Sequence, residues 1–132
     1  RLCEPSRQGP TSFAPGFTFG GPPVSAAVAM ATLDIIEREG LVARALHVGD
    51  RLSTGLQALA DDGSIDHVRG LGAMWAAGLR PDQKAMAVRD AMFDRGVVCR
   101  ALNADSLLFC PPLVTTDEQV DRIVDAVATA TR

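Results

Sequence analysis

Two positions in this chain combine a reactive side chain with a setting that could use it. The first is Thr18, inside the turn Gly16-Phe17-Thr18-Phe19-Gly20-Gly21-Pro22-Pro23. A hydroxyl in a tight turn just ahead of a helix is a fitting donor to a phosphate oxygen. The amides of Gly20 and Gly21 can add further donors, whereas Pro22 has none to give. The plainer role for Thr18 is to satisfy its own turn. The second position is Arg100, in the apolar run Val97–Leu102, where alternation puts Val98 and Leu102 on its face. An arginine so placed either snorkels to an edge and forms a structural ion pair, or grips an anion with its two-pronged guanidinium.

The other reactive residues carry less. Lys84, the one lysine, sits in a polar helix start and reads as solvated. His47 lies at the edge of an apolar stripe and His67 opens a strand; neither has a cysteine or carboxylate at ligand spacing, so no metal site is expected. Cys3, Cys99 and Cys110 are odd in number and widely spaced, which reads as free thiols in a reducing compartment. Cys99 and Cys110 fall on neighbouring strands as small core groups. Arg69 reads as structural, with anion binding as its alternative. Gly70-Leu71-Gly72 lacks the third glycine and following helix of a nucleotide loop, so its glycines are expected to let helices pack closely. No catalytic residue is assigned within the chain.

The elements that must position these groups follow from pattern. Residues 1–15 hold three prolines and no period, and read as an extended lead-in. Pro22 and Pro23 suit a first helical turn and Gly40 the position past the last one, which bounds a helix from Val24. Its apolar residues cover most of the circumference, so cover on more than one side is expected. Leu41–Ala60 carries a single stripe (Leu41, Ala45, Val48, Leu52, Leu56, Leu59), and Gly49 there suggests a close crossing by the first helix. His67–Leu79 is predicted as one strand, with Leu71, Ala73, Trp75 and Ala77 on one face and Gly70, Gly72 and Met74 on the other.

A helix over Asp82–Arg95 follows, with Met86, Val88, Ala91 and Met92 inward. The strand Val97–Leu102, the turn Asn103-Ala104-Asp105 and the strand Ser106–Cys110 then read as a hairpin, stopped by Pro111 and Pro112. Thr116 stands three residues before Gln119, the capping-box spacing, and opens a helix lined by Val120, Ile123, Val124 and Val127. The order predicts an antiparallel sheet with helices on one face.

A hydrophobic fraction of 47% with 22% charged residues fits a globular chain. The net charge of −3, from 16 acidic and 13 basic residues without a basic run, argues against nucleic acid or a polybasic membrane anchor. No apolar stretch reaches the roughly 18 residues of a membrane span. A first residue of arginine, not methionine, leads us to expect that residues ahead of it have been removed.

Three blocks in order resemble the class III (omega, or ornithine-type) aminotransferases, enzymes of the aspartate-aminotransferase fold that use pyridoxal 5'-phosphate. That family writes the first turn as Phe-Thr-(Phe/Tyr)-x-Gly-His-Pro before an alanine-rich helix; here Pro22 replaces the histidine. Val68, Arg69, Gly70, Gly72 and Met74 are similar to its Val-Arg-Gly-x-Gly-x-Met strand. FCPPLVTTDEQVDRIVDAV is similar to its closing strand, Pro-Pro-Leu and capped helix. The likeness covers nearly all of residues 13–131.

The resemblance implies an α/β fold of the α+β type, a small antiparallel sheet covered by helices, as in the C-terminal small domain of fold type I transferases. It implies a cofactor-contact turn and connecting helix over 16–40 and the small domain over 41–132. Thr18, with Phe19, Gly20 and Gly21, would meet the cofactor phosphate of the other subunit. Arg100 would bind the substrate α-carboxylate and swing aside for an apolar group. The catalytic lysine, the pyridine-binding aspartate, the ring-stacking aromatic and the first phosphate-binding loop belong to the family's large domain and match nothing here.

The expectation is therefore a C-terminal fragment of a cytoplasmic, homodimeric transaminase that moves an amino group from an amine or ω-amino acid to a keto acid and is inactive alone. Its partner would be the large cofactor-binding domain. The alternative is a non-catalytic truncated protein that acts as a structural or partner-binding domain.

Overall fold

The structure, a computed structural model, describes residues 20–132, and the chain divides into two units, residues 1–35 and 36–132. Helix α1 spans Pro23–Arg38 and begins as its prolines dictate, with the Ala26 amide donating to the Pro22 carbonyl at 3.0 Å. None of its residues is buried, and Val24 and Val28 are 77% and 60% exposed. The cover expected from its all-round apolar surface is thus not supplied by the described residues.

The second unit holds α2 (Leu41–Asp61), β1 (His67–Leu71), β2 (Met74–Gly78), α3 (Ala85–Phe93), β3 (Arg100–Leu102), β4 (Ser106–Phe109) and α4 (Asp117–Ala130). The strands form one antiparallel sheet in the order β1-β2-β4-β3. Helix α2 lies on β1 and β2, α3 lies on β3 and β4, and α4 packs against both helices. Residues directly opposite in an antiparallel pair share a face. Val68, Ala77, Leu107 and Ala101 make one row toward the helices, where Ala77 and Leu107 are fully buried. Leu52, Leu56, Met92, Val120 and Val127 complete that core.

The single strand expected over His67–Leu79 is two strands. The chain reverses at Gly72-Ala73, and Leu71 pairs with Met74. Gly72 has φ +55° while Ala73 keeps a negative φ, the pattern of a type II′ turn, which needs glycine at its first central position. The face assignment changes with it: Leu71 and Met74 share the face away from the helices and are 85% and 57% exposed. Gly70 lies opposite Trp75, whose indole covers it, so this glycine admits an aromatic ring and not a helix. Gly49 does mark a close crossing, but its neighbour is the hairpin turn: a methyl there would overlap the Gly72 carbonyl. Gly55 serves the α2–α4 crossing, where Val124 lies against it.

Other boundaries shift by a few residues. Helix α3 starts later than Asp82 and turns Met86 outward at 53% exposure, since the buried set is Ala85, Val88 and Met92. β3 is only three residues long, and Val98, ahead of it, is 81% exposed. Cys110 lies past the end of β4 and is exposed, not a core group. The capping box at Thr116 and Gln119 is present in both directions, with bonds of 3.3 and 2.9 Å. Such a cap is worth about 1 kcal/mol.

Candidate functional site

The turn ahead of α1 is described from Gly20 onward; Thr18 and Phe19 lie outside the described residues. Gly20 and Gly21 are exposed, and Gly21 sits at φ +94° with no atom within 4 Å of where a Cβ would stand. A side chain would be strained there, so glycine is required. Pro22 and Pro23 lack amide protons, which leaves Gly20 and Gly21 as the only donors between Phe19 and Val24. Two backbone amides at a helix start, with open space beside Gly21, fit one edge of a phosphate group.

Arg100 opens β3 at the sheet edge and is exposed. Register places it in a row Arg69–Ala76–Leu108–Arg100 on the face away from the helices. The ion pairs formed among the described residues do not include it. An edge position, an exposed side chain and no ion pair among the described residues leave the guanidinium able to take an external carboxylate with two parallel bonds. Gly20 and Gly21 belong to the first unit and Arg100 to the second.

The remaining reactive groups are structural in their surroundings. Lys84 is exposed at the N-cap of α3. Half-burial pushes the Cys99 thiol up, and its Sγ lies 3.7 Å from Met92 Sδ, so the thiol is the inert form at neutral pH. No group of three or more metal-ligating side chains occurs among the described residues. No helix among them is long and apolar enough to cross a membrane. A crevice of about 330 Å³ between α4 and the segment entering β3 is lined by Val97, Phe109, Cys110, Pro112, Gln119 and Arg122; Arg100 is not in its wall.

Two polar arrangements were invisible in the sequence because they join residues far apart in the chain. The first ties α2 to α4. His47 Nε2 lies 3.0 Å from Asp117 Oδ1, Arg44 donates to the Thr115 carbonyl at 2.6 Å, and Arg51 grips Asp121 with bonds of 2.8 and 2.6 Å. The bond from His47 holds Asp117 below the usual carboxylate range, and the bond from Arg51 does the same for Asp121.

A carboxylate with a lowered folded value stabilises above its unfolded pKa and loses that contribution as pH falls through the folded one. Stability should therefore decline from about pH 5 downward. Asp117→Asn should flatten that decline in thermal midpoints measured from neutral to strongly acid pH; an unchanged slope would remove this account. The second arrangement runs through Arg69 and is taken up below.

A family model described as Aminotransferase class-III matches residues 4–131. An uncharacterized aminotransferase of Sinorhizobium fredii is 39% identical over 134 residues, 92% of this chain and 29% of that protein. Ornithine aminotransferase 1 of Staphylococcus saprophyticus is 35% identical over 112 residues, 85% of this chain and 28% of its own length. Among solved structures, a thermostable omega transaminase 6-fold mutant from Pseudomonas jessenii superposes with a TM-score of 0.80 at 33% identity. That superposition covers 90% of this chain and 29% of the transaminase. The chain thus spans less than a third of the length of the relatives it matches.

Proposed function

The chain belongs to the class-III aminotransferases, and on that premise we propose that it forms the C-terminal part of a pyridoxal-phosphate-dependent transaminase. Residues 41–132 are its small domain, and residues 16–40 supply the cofactor-contact turn and connecting helix. The complete enzyme moves an amino group from an amine or ω-amino acid to a keto acid, as a cytoplasmic homodimer. The observation that carries this reading is Arg100, exposed at the sheet edge on the face away from the helices.

Pyridoxal phosphate, when bound, supplies the electron sink that makes amino transfer feasible. The residues of this chain bind and orient. Thr18 and the amides of Gly20 and Gly21 hold phosphate oxygens beside Phe19, and Pro22 adds no donor where the family has histidine. Arg100 fixes the substrate carboxylate and turns aside for an apolar group.

The residues that would hold the cofactor ring are missing. The only lysine, Lys84, is an exposed helix cap, and the chain has no counterpart of the pyridine-binding aspartate. Purified residues 1–132 mixed with pyridoxal phosphate should accordingly develop no protein-bound absorbance band in the visible and catalyse no turnover. A band abolished by Lys84→Ala would overturn the reading.

The exposed apolar surface of α1 favours a second reading, a non-catalytic domain that binds a partner through this helix. Restored turnover on adding a lysine-bearing large domain in trans separates the two: activity supports the first reading, and binding without activity the second.

A further inference from the structure

The face of the sheet away from α2 and α3 carries a polar strap that starts on β1 and ends at the β3–β4 turn. Arg69 donates through Nη1 to His67 Nε2 at 2.6 Å and through Nη2 to Ser106 Oγ at 3.2 Å. An arginine can only donate, so His67 Nε2 accepts, and its Nδ1 donates to Asp66 Oδ2 at 2.8 Å. The Ser106 hydroxyl in turn donates to Asp105 Oδ1 at 3.0 Å. The strap crosses β2 at Gly78, which pairs with both His67 and Ser106; a methyl on Gly78 would overlap the His67 ring. Glycine at that position is what lets a β1 side chain reach β4.

Asp105 closes the hairpin turn that begins at Asn103 with φ +53°. The turn is also held by the Leu79 amide on the Asp105 carbonyl at 2.7 Å and the Ala85 amide on the Ala104 carbonyl at 3.2 Å. β3 needs this support: it is three residues long, lies at the edge, and has β4 as its one strand partner. Ser106 is a diagonal neighbour of Arg100, and such pairs lie roughly 7–8 Å apart. Ser106 is 1% exposed, so its hydroxyl depends on these two partners and not on water.

We propose that Arg69 is a positioning residue for Arg100: by clamping Ser106 and Asp105 across the sheet it fixes the β3–β4 hairpin that aims the carboxylate-binding guanidinium. This inference rests on the carboxylate role proposed for Arg100.

The test compares Arg69→Gln, Arg69→Lys and Arg100→Ala in the complete, cofactor-loaded enzyme, on a carboxylate-bearing amino donor and a simple amine. Arg69→Gln should raise KM for the carboxylate donor roughly tenfold with kcat little changed, while the amine moves less than about twofold. Arg69→Lys, which restores one donor to Ser106, should recover part of that loss. Equal effects on both donors, or none while Arg100→Ala remains selective, would overturn the positioning role alone. An unselective Arg100→Ala would overturn the carboxylate reading and this inference with it.

A measurement without activity uses the 132-residue chain. Amide hydrogen exchange at Leu102 and Leu108, whose amides face each other's strand across β3–β4, should quicken roughly tenfold in Arg69→Gln and in Ser106→Ala, with α4 unaffected. Unchanged exchange in the hairpin would also overturn the proposal.

Discussion

Arg100→Ala in the complete enzyme is expected to lower kcat/KM for carboxylate-bearing donors and acceptors by roughly 10- to 100-fold, and for simple amines by less than about threefold. The magnitude follows from charge. A hydrogen bond to an ionised partner contributes about 1.5–3 kcal/mol, and each 1.4 kcal/mol is a factor of ten. The selectivity follows from position. Arg100 is exposed on the edge strand, paired only through its backbone with Leu108, so removing its side chain leaves the core rows of Ala77 and Leu107 intact. Matched losses on both kinds of substrate would mean that the residue supports the fold and not the carboxylate.

A larger effect on stability is expected at Gly49. Glycine in a helix interior costs about 1 kcal/mol relative to alanine, so Gly49→Ala on propensity alone should stabilise α2. The structure reverses that sign. The added methyl would overlap the Gly72 carbonyl, which is backbone in a type II′ turn held between β1 and β2 and cannot rotate aside. Relief requires α2 and the hairpin to separate over a fully buried contact that includes Val48 and Leu52.

Overpacking of this kind costs about 1–3 kcal/mol or more, and Gly49→Val should exceed Gly49→Ala. Gly55→Ala offers a milder case, since its methyl meets the Val124 side chain and no backbone, so relief needs only a small shift between α2 and α4. Urea midpoints should therefore fall steeply for both Gly49 variants and less for Gly55→Ala. A Gly49→Ala protein as stable as the parent would show that the turn is free to move.

The helices and the closing hairpin were legible because their signals are local. The Thr116–Gln119 spacing, the prolines opening α1 and the stripe Val48-Leu52-Leu56-Leu59 each lie within a few turns of chain, and the structure keeps all three. The β1–β2 hairpin was misread although Gly72-Ala73 has the glycine that a type II′ turn demands. A two-residue turn shifts the alternation by one position, but Leu71, Met74 and Ala76 on one face are as apolar as Val68, Trp75 and Ala77 on the other, so the shift leaves no polar mark in that stretch.

Thr18 and Phe19, named for the cofactor phosphate, lie outside the described residues, and Gly20 and Gly21 are exposed. The sequence by itself determined which elements form, and the order of its motif blocks determined the family; both are written in neighbouring residues. Only the tertiary structure decided which face of the sheet meets the helices and which residues stand on the other. The row Arg69–Ala76–Leu108–Arg100, the strap over Gly78 and the Gly49–Gly72 contact each bring together residues separated by twenty or more positions. Such meetings depend on strand order and register, which residue periodicity does not encode.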